Sequence, residues 1–256
     1  MGKTILMIHG MWGGPHLWDN YRLFLEGRGH RCLAPALRHH QGPPPVPPPP
    51  ELGTTSLLDY AADLEAKVRA LPEKPWIVGH SMGGLLAQIL AARGLAEKAV
   101  FLCPAAPRGI LALKPSVVRS FWSAMTRWAF WRRPFLPTYG EARYALWENL
   151  SEEESRAQYA RFVPESGRAA FEIGLWPLDR RRASEVDARR VTCPVLVVAG
   201  GRDRITPEPV VRQVARRYGA PYRVFPEMAH WVIGEPGWEE VAGFVLGWLE
   251  GPAGGA

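Results

Sequence analysis

The sequence has few cysteines and no long apolar run. Its three cysteines, Cys32, Cys103 and Cys193, cannot all form disulfides, and none lies in the C-x-x-C spacing of a metal site. Each lies in or beside a short apolar run, so we interpret them as small, buried, reduced side chains. No apolar run reaches the roughly 20 residues of a membrane-spanning helix. The apolar run at residues 5–8 is too short for a signal peptide, so we expect a cytoplasmic protein.

Acidic residues are outnumbered, and the net charge is +6. Most of this excess lies in residues 105–190, which contain 15 Lys and Arg against 10 Asp and Glu. The densest cluster, residues 180–182, has no nucleic-acid recognition motif beside it. We therefore expect a solvated surface there and no nucleic-acid partner.

Internal repeats are also absent, and the main pattern is an alternation of strand-like and helix-like segments. Helical spacing of apolar residues occurs between short apolar runs that have the length of strands buried on both faces. The runs are residues 4–8, 31–34, 76–78, 99–102, 195–199 and 222–225, and the helical segments are 17–25, 57–71, 85–92 and 238–249. This alternation predicts a parallel sheet covered by helices on both faces. We expect the proline-rich residues 43–50 to form a stiff, extended surface loop.

One long segment, residues 108–188, interrupts the alternation. It lacks strand signals and is rich in aromatic residues, so we predict a helical cap inserted into a core domain formed by residues 1–107 and 189–256. Helical spacing relates Phe121, Trp122, Met125, Trp128, Ala129 and Trp131. These residues are either the cap's own packing core, the wall of an apolar substrate pocket, or a surface that touches lipid. On the second interpretation Trp122, Met125 and Trp128 line the pocket.

The strongest chemical motif is GHSMGG at residues 79–84, which follows an apolar run and precedes a helical segment. It matches the G-x-S-x-G nucleophile elbow in the strand–turn–helix setting that the motif requires. A serine on such a sharp turn has strained backbone angles and crowded neighbours, which only glycine accommodates. We predict Ser81 as the nucleophile, and the amide of Met82, at a helix N-terminus, as a donor to developing negative charge. We interpret His80, at the variable position of the elbow, as a packing residue beside the pocket.

A serine hydroxyl needs a base, and the chain has seven histidines from which to choose. His230 follows the run at residues 222–225, where the carboxyl edge of a parallel sheet presents loops to one crevice. We predict His230 as the base and its neighbour Trp231 as a pocket residue. The others are expected to be structural beside the site (His9) or solvated in or near loops and helix ends (His16, His30, His39 and His40).

The third catalytic residue should orient the imidazole and stabilise its charged form. Asp203 leaves the run at residues 195–199 in a glycine turn and gives the order Ser, Asp, His along the chain. The alternative position, after the run at residues 99–102, contains no carboxylate. We predict Asp203 as the acid, with Glu208 and Glu235 as fallback candidates.

A tetrahedral intermediate needs a second amide beside that of Met82. The loop at residues 9–14 directly follows the first strand-like run and is rich in glycine. We predict that Met11 donates this amide, with Trp12 as the alternative.

These motifs, in this order, resemble the α/β-hydrolase superfamily, specifically its capped, serine-dependent esterase and lipase-like branch. The resemblance covers nearly the whole chain and implies an α/β fold with a mostly parallel sheet flanked by helices. About six strands are expected, because the family's usual N-terminal antiparallel strand pair has no counterpart here. Related haloalkane dehalogenases and epoxide hydrolases carry Asp at the elbow, and related hydroxynitrile lyases have a lysine near the histidine. Ser81, and the absence of lysine from residues 231–235, disfavour those activities.

The resemblance implies hydrolysis of a small-molecule carboxylic ester with an apolar acyl group through an acyl-enzyme, with no metal and no organic cofactor. Two other functions remain open on the sequence. The fold also serves small-molecule receptors with little turnover, and the basic, aromatic cap is compatible with transient contact with a lipid surface.

Overall fold

A six-stranded parallel sheet forms the centre of the protein. The computed structural model describes residues 2–41 and 47–252. The strands of this sheet are β1 (Thr4–Ile8), β2 (Arg31–Leu33), β3 (Trp76–His80), β4 (Lys98–Leu102), β7 (Val195–Gly200) and β8 (Tyr222–Phe225). Their spatial order is β2-β1-β3-β4-β7-β8, and each neighbouring pair is parallel. This architecture confirms the predicted α/β-hydrolase fold.

The central strands are buried along their whole length, because helices cover both faces of the sheet. All residues of β3, β4 and β7 are buried, as the continuous apolar runs of parallel strands require. The register pairs Ile8 with Gly79, His80 with Leu102, and Leu102 with Val198. The carboxyl ends of β1, β3, β4 and β7 therefore lie side by side, and the loops that follow them meet at one edge.

The helices that cover the sheet are α1 (Asp19–Glu26), α2 (Leu57–Arg69), α3 (Met82–Ala92), α9 (Glu208–Tyr218) and α10 (Trp238–Glu250). Helix α3 begins three residues earlier than the apolar spacing indicates, because Gly83 and Gly84 carry no apolar signal. The helix predicted over residues 17–25 is divided into a 3₁₀ turn, Pro15–Trp18, and α1. Helix α9 was not predicted, although it buries the valines at 210, 211 and 214.

The 108–188 segment contains the helices α4 (Pro115–Ser120), α5 (Trp122–Met125), α6 (Tyr139–Leu146), α7 (Glu152–Tyr159) and α8 (Gly167–Gly174). It also holds a short antiparallel pair, β5 (Pro134–Phe135) and β6 (Glu165–Ser166), where no strand was expected. The aromatic run at residues 121–131 is not one helix. Helix α5 ends after a single turn, and Ala129 has a left-handed backbone with φ 55°. The domain limits at residues 108 and 188 stay a prediction.

Buried carboxylates attach the 108–188 segment to the rest of the chain. Glu165 accepts a hydrogen bond of 2.7 Å from the hydroxyl of Tyr60 and lies 3.2 Å from Nε2 of His40. Glu172 accepts hydrogen bonds of 2.8 Å from the hydroxyl of Ser56 and the amide of Leu57, at the start of α2. These contacts fix β6 and α8 against helix α2.

The prediction that His30 and His40 are solvated was wrong, since both are buried. His40 donates from Nδ1 to the carbonyl of Arg38 at 2.9 Å, while its other nitrogen faces Glu165. Burial alone would lower the pKa of His40, but the Glu165 carboxylate raises it above its ordinary value. A charged imidazole beside a buried carboxylate replaces the expected surface histidine.

Residues 43–46 of the proline-rich stretch lie outside the described residues, so the predicted extended loop is not tested there. From Pro50 the chain forms a 3₁₀ turn, Pro50–Thr54, that leads into α2. In residues 2–41 and 47–252, no helix combines the length and apolar character needed to span a bilayer.

Candidate active site

The turn between β3 and α3 holds Ser81 in a backbone conformation that is rare for a residue with a side chain. Its φ is 57° and its ψ is −122°, which is the strained geometry expected at an elbow. A side chain at position 79 would approach the carbonyl oxygen of Gly83 to 2.2 Å. A side chain at position 83 would approach the carbonyl oxygen of Ile8 to 2.1 Å. The glycines of the motif are therefore required by the close approach of backbones around Ser81.

The structure brings Asp203 and His230 into direct contact. Nδ1 of His230 lies 2.7 Å from Oδ2 of Asp203, and both side chains are buried. The other carboxylate oxygen accepts hydrogen bonds of 2.8 Å from the amides of Ile205 and Thr206. Burial alone would raise the pKa of Asp203, but the His230 ring and the Thr206 donors lower it below its ordinary value. An ionised Asp203 keeps a proton on Nδ1 of His230, which leaves Nε2 as the acceptor.

Ser81 and His230 line the same cavity. Their side chains are not hydrogen-bonded to each other in this structure, as is common in unliganded active sites where the contact tightens on substrate binding. The structure therefore brings Ser81, Asp203 and His230 to one place. Asp203 and His230 are in contact, whereas Ser81 and His230 are not hydrogen-bonded.

His80 and Gly200 fix the backbone of the loop that carries His230. Nε2 of His80 donates to the carbonyl oxygen of His230 at 2.8 Å. Burial, together with the nearby His230, lowers the pKa of His80 to about 3, so its ring is neutral. A side chain at position 200 would approach the carbonyl oxygen of Ala229 to 2.0 Å, so Gly200 lets the loop pack against β7.

Glu235 ties this same loop to the 108–188 segment. Its carboxylate accepts hydrogen bonds of 2.8 Å from the amide of Ala229 and 2.7 Å from the side-chain amide of Asn149. Asn149 also donates to the carbonyl oxygen of Glu227 at 2.9 Å. Burial raises the pKa of Glu235 to about 7. Glu235, a fallback acid in the sequence analysis, thus contacts the backbone next to His230 and not its ring.

Glu208, the other fallback candidate, lies on α9. Its carboxylate forms an ion pair with Arg212 and accepts a hydrogen bond of 2.8 Å from the hydroxyl of Tyr222. These partners hold Glu208 in a surface network, and the structure does not bring it to His230.

The predicted oxyanion donors surround Ser81. Met82 is the first residue of α3, where backbone amides have no partner within the helix. The loop after β1 packs closely on the serine, since a side chain on Gly10 would lie 2.8 Å from Cβ of Ser81. Met11, Trp12 and Met82 all line the cavity. The assignment of the second amide to Met11 or Trp12 stays a prediction.

The cavity above Ser81 is built from apolar side chains of both the core and the 108–188 segment. Among the described residues, no Asp, Glu, Lys or Arg lines it. Apolar lining residues include Trp12, Val117, Phe121, Phe130, Trp147 and Phe162.

The predicted pocket residues divide into two groups. His80, Met125 and Trp231 line the cavity. Trp122 and Trp128 do not, and their side chains are 60% and 85% exposed. Trp122 lies on the solvent side of α5, and Trp128 lies beyond the end of that helix. The interpretation of these two tryptophans as pocket wall is therefore corrected.

Comparison with known proteins assigns the chain to a family. Residues 5–244 match the model of the Alpha/beta hydrolase family. The chain belongs to that family. No curated protein sequence matches it.

Solved structures of hydrolases share the fold at low sequence identity. Polyneuridine aldehyde esterase is 18% identical with a TM-score of 0.71, covering 98% of this chain and 100% of the other. A methylesterase from Arabidopsis is 12% identical with a TM-score of 0.71, covering 96% and 98%. A pyrethroid hydrolase from Sphingobium faniae JZ-2 is 17% identical with a TM-score of 0.71, covering 99% of each chain.

Two residues of this hydrolase-family site, Thr206 and Asn149, were not predicted from the sequence. The hydroxyl of Thr206 lies 2.7 Å from the Asp203 carboxylate, 3.0 Å from the carbonyl oxygen of Cys103 and 3.4 Å from Nδ1 of His230. The available signal for Thr206 was its place three residues after Asp203, where a carboxylate and a hydroxyl stabilise a turn together. Asn149 had no such signal, because it reaches Glu235 across the fold.

Cys103, Asp203 and His230 offer ligand atoms within 4.8 Å of one another, a spacing that a metal ion would accept. Burial raises the pKa of the Cys103 thiol well above its ordinary value, so the thiol keeps its proton. A protonated thiol is a poor metal ligand, and Asp203 already accepts four hydrogen bonds. The chemistry of this group fits a hydrogen-bonded site better than a metal centre.

Proposed function

We propose that the protein is a serine hydrolase that cleaves uncharged carboxylic esters with apolar acyl groups. The observation that carries the proposal is the strained Ser81 elbow at the base of an apolar cavity shared with His230, whose Nδ1 lies 2.7 Å from a buried aspartate. Family membership supports hydrolysis, and the printed names of the three structural neighbours are those of an esterase, a methylesterase and a pyrethroid hydrolase.

In the proposed first step, the Ser81 hydroxyl attacks the ester carbonyl carbon while Nε2 of His230 takes its proton. The ionised Asp203 stabilises the resulting imidazolium through Nδ1. The carbonyl oxygen becomes an oxyanion that accepts hydrogen bonds from the amides of Met82 and Met11. The intermediate then breaks its bond to the alkoxy oxygen, and the alcohol leaves with the proton from His230.

In the second step a water molecule attacks the acyl-enzyme carbonyl, and His230 takes a proton from that water. Collapse of the second tetrahedral intermediate breaks the bond to Ser81, whose oxygen regains the proton from the imidazolium. The acid product leaves, and no external oxidant, reductant or cofactor enters the balance.

The cavity supports uncharged, apolar substrates. A charged group on the substrate would lose its hydration there without a compensating partner, because none of the described lining residues is Asp, Glu, Lys or Arg. Aromatic and aliphatic walls instead stabilise an apolar acyl chain or ring by burial. Nitrophenyl esters with acyl chains of increasing length should therefore gain in kcat/KM until the cavity is full.

The deciding experiment combines turnover with covalent labelling of the purified protein. Replacing Ser81 by Ala should lower kcat for a nitrophenyl ester by about 10⁴-fold or more. A serine-directed fluorophosphonate should label Ser81 in the wild type, as identified by peptide mass spectrometry. Ser116→Ala, a serine outside the cavity, serves as the matched control and should leave both readouts unchanged.

Retention of full activity by Ser81→Ala would refute the mechanism. Negligible wild-type turnover together with a large thermal stabilisation by an apolar ester would favour the receptor function instead. The two results are separable, because the thermal shift needs only binding.

A further inference from the structure

The outer surface of residues 111–136 carries an unusual share of the exposed apolar side chains. Of the eight large hydrophobic side chains that are exposed among the described residues, five lie in this stretch. They are Leu111, Trp122, Met125, Trp128 and Leu136. Where exposed apolar side chains lie together, they mark interaction sites. We call this surface, together with its cations, the 111–136 face.

The same stretch carries cations but no acidic residue. Residues 98–140 contain no Asp or Glu, whereas residues 111–136 contain five exposed cations, Lys114, Arg119, Arg127, Arg132 and Arg133. Within the part of the chain that the structure describes, none of these five takes part in an ion pair. Arginines on other surfaces do pair, as Arg38 does with Asp63 and Arg204 with Glu148. The five cations of the 111–136 face are therefore not neutralised by ion pairs within the described residues.

Tryptophan and cations share one open groove on this face. Trp122 borders the groove with Lys114 and Arg119, and Leu113 lines both this groove and the apolar cavity above Ser81. Glu141 also borders the groove; its carboxylate accepts hydrogen bonds from Ser123 and Thr138 and forms no ion pair with the described cations of the groove. The groove thus combines an apolar wall and unpaired positive charge beside the cavity.

Helix α5 connects this surface with the cavity. Ala124 and Met125 line the cavity, while Trp122, on the same helical turn, points to solvent. Met125 is 37% exposed as well as lining the cavity, so it lies at its rim. Whatever covers Trp122 therefore lies next to the opening of the cavity.

The geometry points to an anionic lipid surface as the partner of the 111–136 face. Tryptophan is suited to the boundary between headgroups and acyl chains, because its ring is apolar and its N–H is polar. Lysine and arginine next to it are attracted by anionic headgroups. An acidic protein or a nucleic acid would pair with the cations but would leave Leu111, Met125 and Leu136 without an apolar environment. The proposal does not depend on ester hydrolysis.

Vesicle sedimentation tests this proposal with the full chain. Vesicles of phosphatidylcholine are compared with vesicles in which about a third of the lipid is phosphatidylglycerol. We expect the wild type to sediment with the anionic vesicles at low salt and several-fold less with the neutral ones. Raising sodium chloride should weaken binding without abolishing it, because the tryptophan contribution is not screened.

Two sets of variants separate the apolar and charged contributions. Trp122→Ser with Trp128→Ser should weaken vesicle binding at least tenfold at every salt concentration. Arg127→Gln, Arg132→Gln and Arg133→Gln together should weaken it several-fold at low salt and flatten its salt dependence. The matched control is Leu23→Ser with Phe244→Ser, which removes two exposed apolar side chains from α1 and α10. It should bind as the wild type does. Thermal unfolding of each variant verifies that it is folded.

Three results would overturn the proposal. The first is wild-type protein that stays in the supernatant with anionic vesicles at low salt. The second is an equal loss of binding in the tryptophan variant and in the control. The third is binding that a single-stranded RNA removes completely and that the tryptophan substitutions leave unchanged, which would indicate a polyanion site.

Discussion

The carboxyl edge of the sheet and the 111–136 face both contain aromatic and charged residues, but only at the sheet edge do the described ionisable groups form a hydrogen-bonded network. Asp203 accepts four hydrogen bonds, His80 holds the backbone of His230, and Glu235 is bonded to donors from two parts of the fold. On the 111–136 face, Trp128 is 85% exposed, and the five cations form no ion pair within the described residues. A reaction centre needs groups fixed before the substrate arrives, whereas a docking surface obtains its partners from outside the chain.

The largest expected effect comes from breaking the contact between Asp203 and His230. Asp203→Asn keeps the shape of the side chain but places an amide where Nδ1–H needs an acceptor, so His230 loses the tautomer required of a base. We expect kcat for a nitrophenyl ester to fall by about 10⁴-fold with little change in KM. Steady-state kinetics of the variant with the nitrophenyl ester measures both kcat and KM. The control is Asp19→Asn, which replaces a surface aspartate. An activity within tenfold of wild type would remove Asp203 from the mechanism.

A second prediction concerns the buried pair of His40 and Glu165, which joins the 108–188 segment to the core. Replacing Glu165 by Gln leaves His40 without its counter-charge, and we expect the free energy of unfolding to fall by about 3 kcal/mol. Urea denaturation measures the change, with Glu153→Gln on the exposed face of α7 as control. A loss below about 1 kcal/mol would contradict the structural role of this pair.

The same pair predicts how this loss depends on pH. The pKa of His40 is raised, so its contribution is present below the ordinary value of 6.5 and disappears as pH rises through the raised value. The pKa of Glu165 is lowered below its ordinary 4.5, because the charge of His40 and the hydrogen bonds from Ser166 and Tyr60 outweigh burial. Its contribution disappears as pH falls through the lowered value. The difference between wild type and Glu165→Gln should therefore be greatest between pH 4.5 and 6.5.

The site was easier to predict from the sequence than its supports. Ser81, Asp203 and His230 lie in loops directly after apolar runs, and parallel strands bring such loops to one edge whatever the details of packing. Asn149 and Glu165 gave no comparable signal, because each finds its partner through the path of the 108–188 segment, which periodicity does not determine. The tryptophans at 122 and 128 show the same limit. Their spacing fits a single helix, but α5 ends at Met125 and Ala129 has a left-handed backbone, so the spacing did not predict which side chains face the cavity.

Replacing Glu235, whose carboxylate holds the loop that carries His230, should have a smaller effect on kcat. Glu235→Gln keeps an acceptor for the amide of Ala229 but sets an N–H against the N–H of Asn149. We expect kcat to fall by roughly tenfold as the His230 loop shifts. Adding Asn149→Asp supplies an acceptor again and should recover part of the loss, whereas Glu239→Gln, exposed on α10, should have no effect. Wild-type kinetics in the Glu235→Gln variant would show that the loop does not need this tether.

This substitution also predicts a change in the pH dependence of stability. Burial raises the pKa of Glu235 to about 7 from its ordinary 4.5. The folded state therefore binds the carboxyl proton more tightly than the unfolded state, and this contribution to stability is complete below pH 4.5. That contribution is lost as pH rises through about 7. The free energy of unfolding of the Glu235→Gln variant, measured relative to wild type, should therefore increase between pH 4.5 and 7. A constant difference over this range would mean that Glu235 titrates at its ordinary value.

The smallest expected effect concerns the stability of the protein after a substitution on the 111–136 face. Trp128→Ser removes a side chain that is 85% exposed and that touches the ring of Trp131 at its edge. We expect its free energy of unfolding to change by less than about 0.5 kcal/mol. The same substitution at Trp147, which is buried against Phe162 and lines the cavity, should cost about 3 kcal/mol or more. Equal losses at the two positions, measured by urea denaturation, would mean that Trp128 is covered by the protein itself and is not available to a lipid surface.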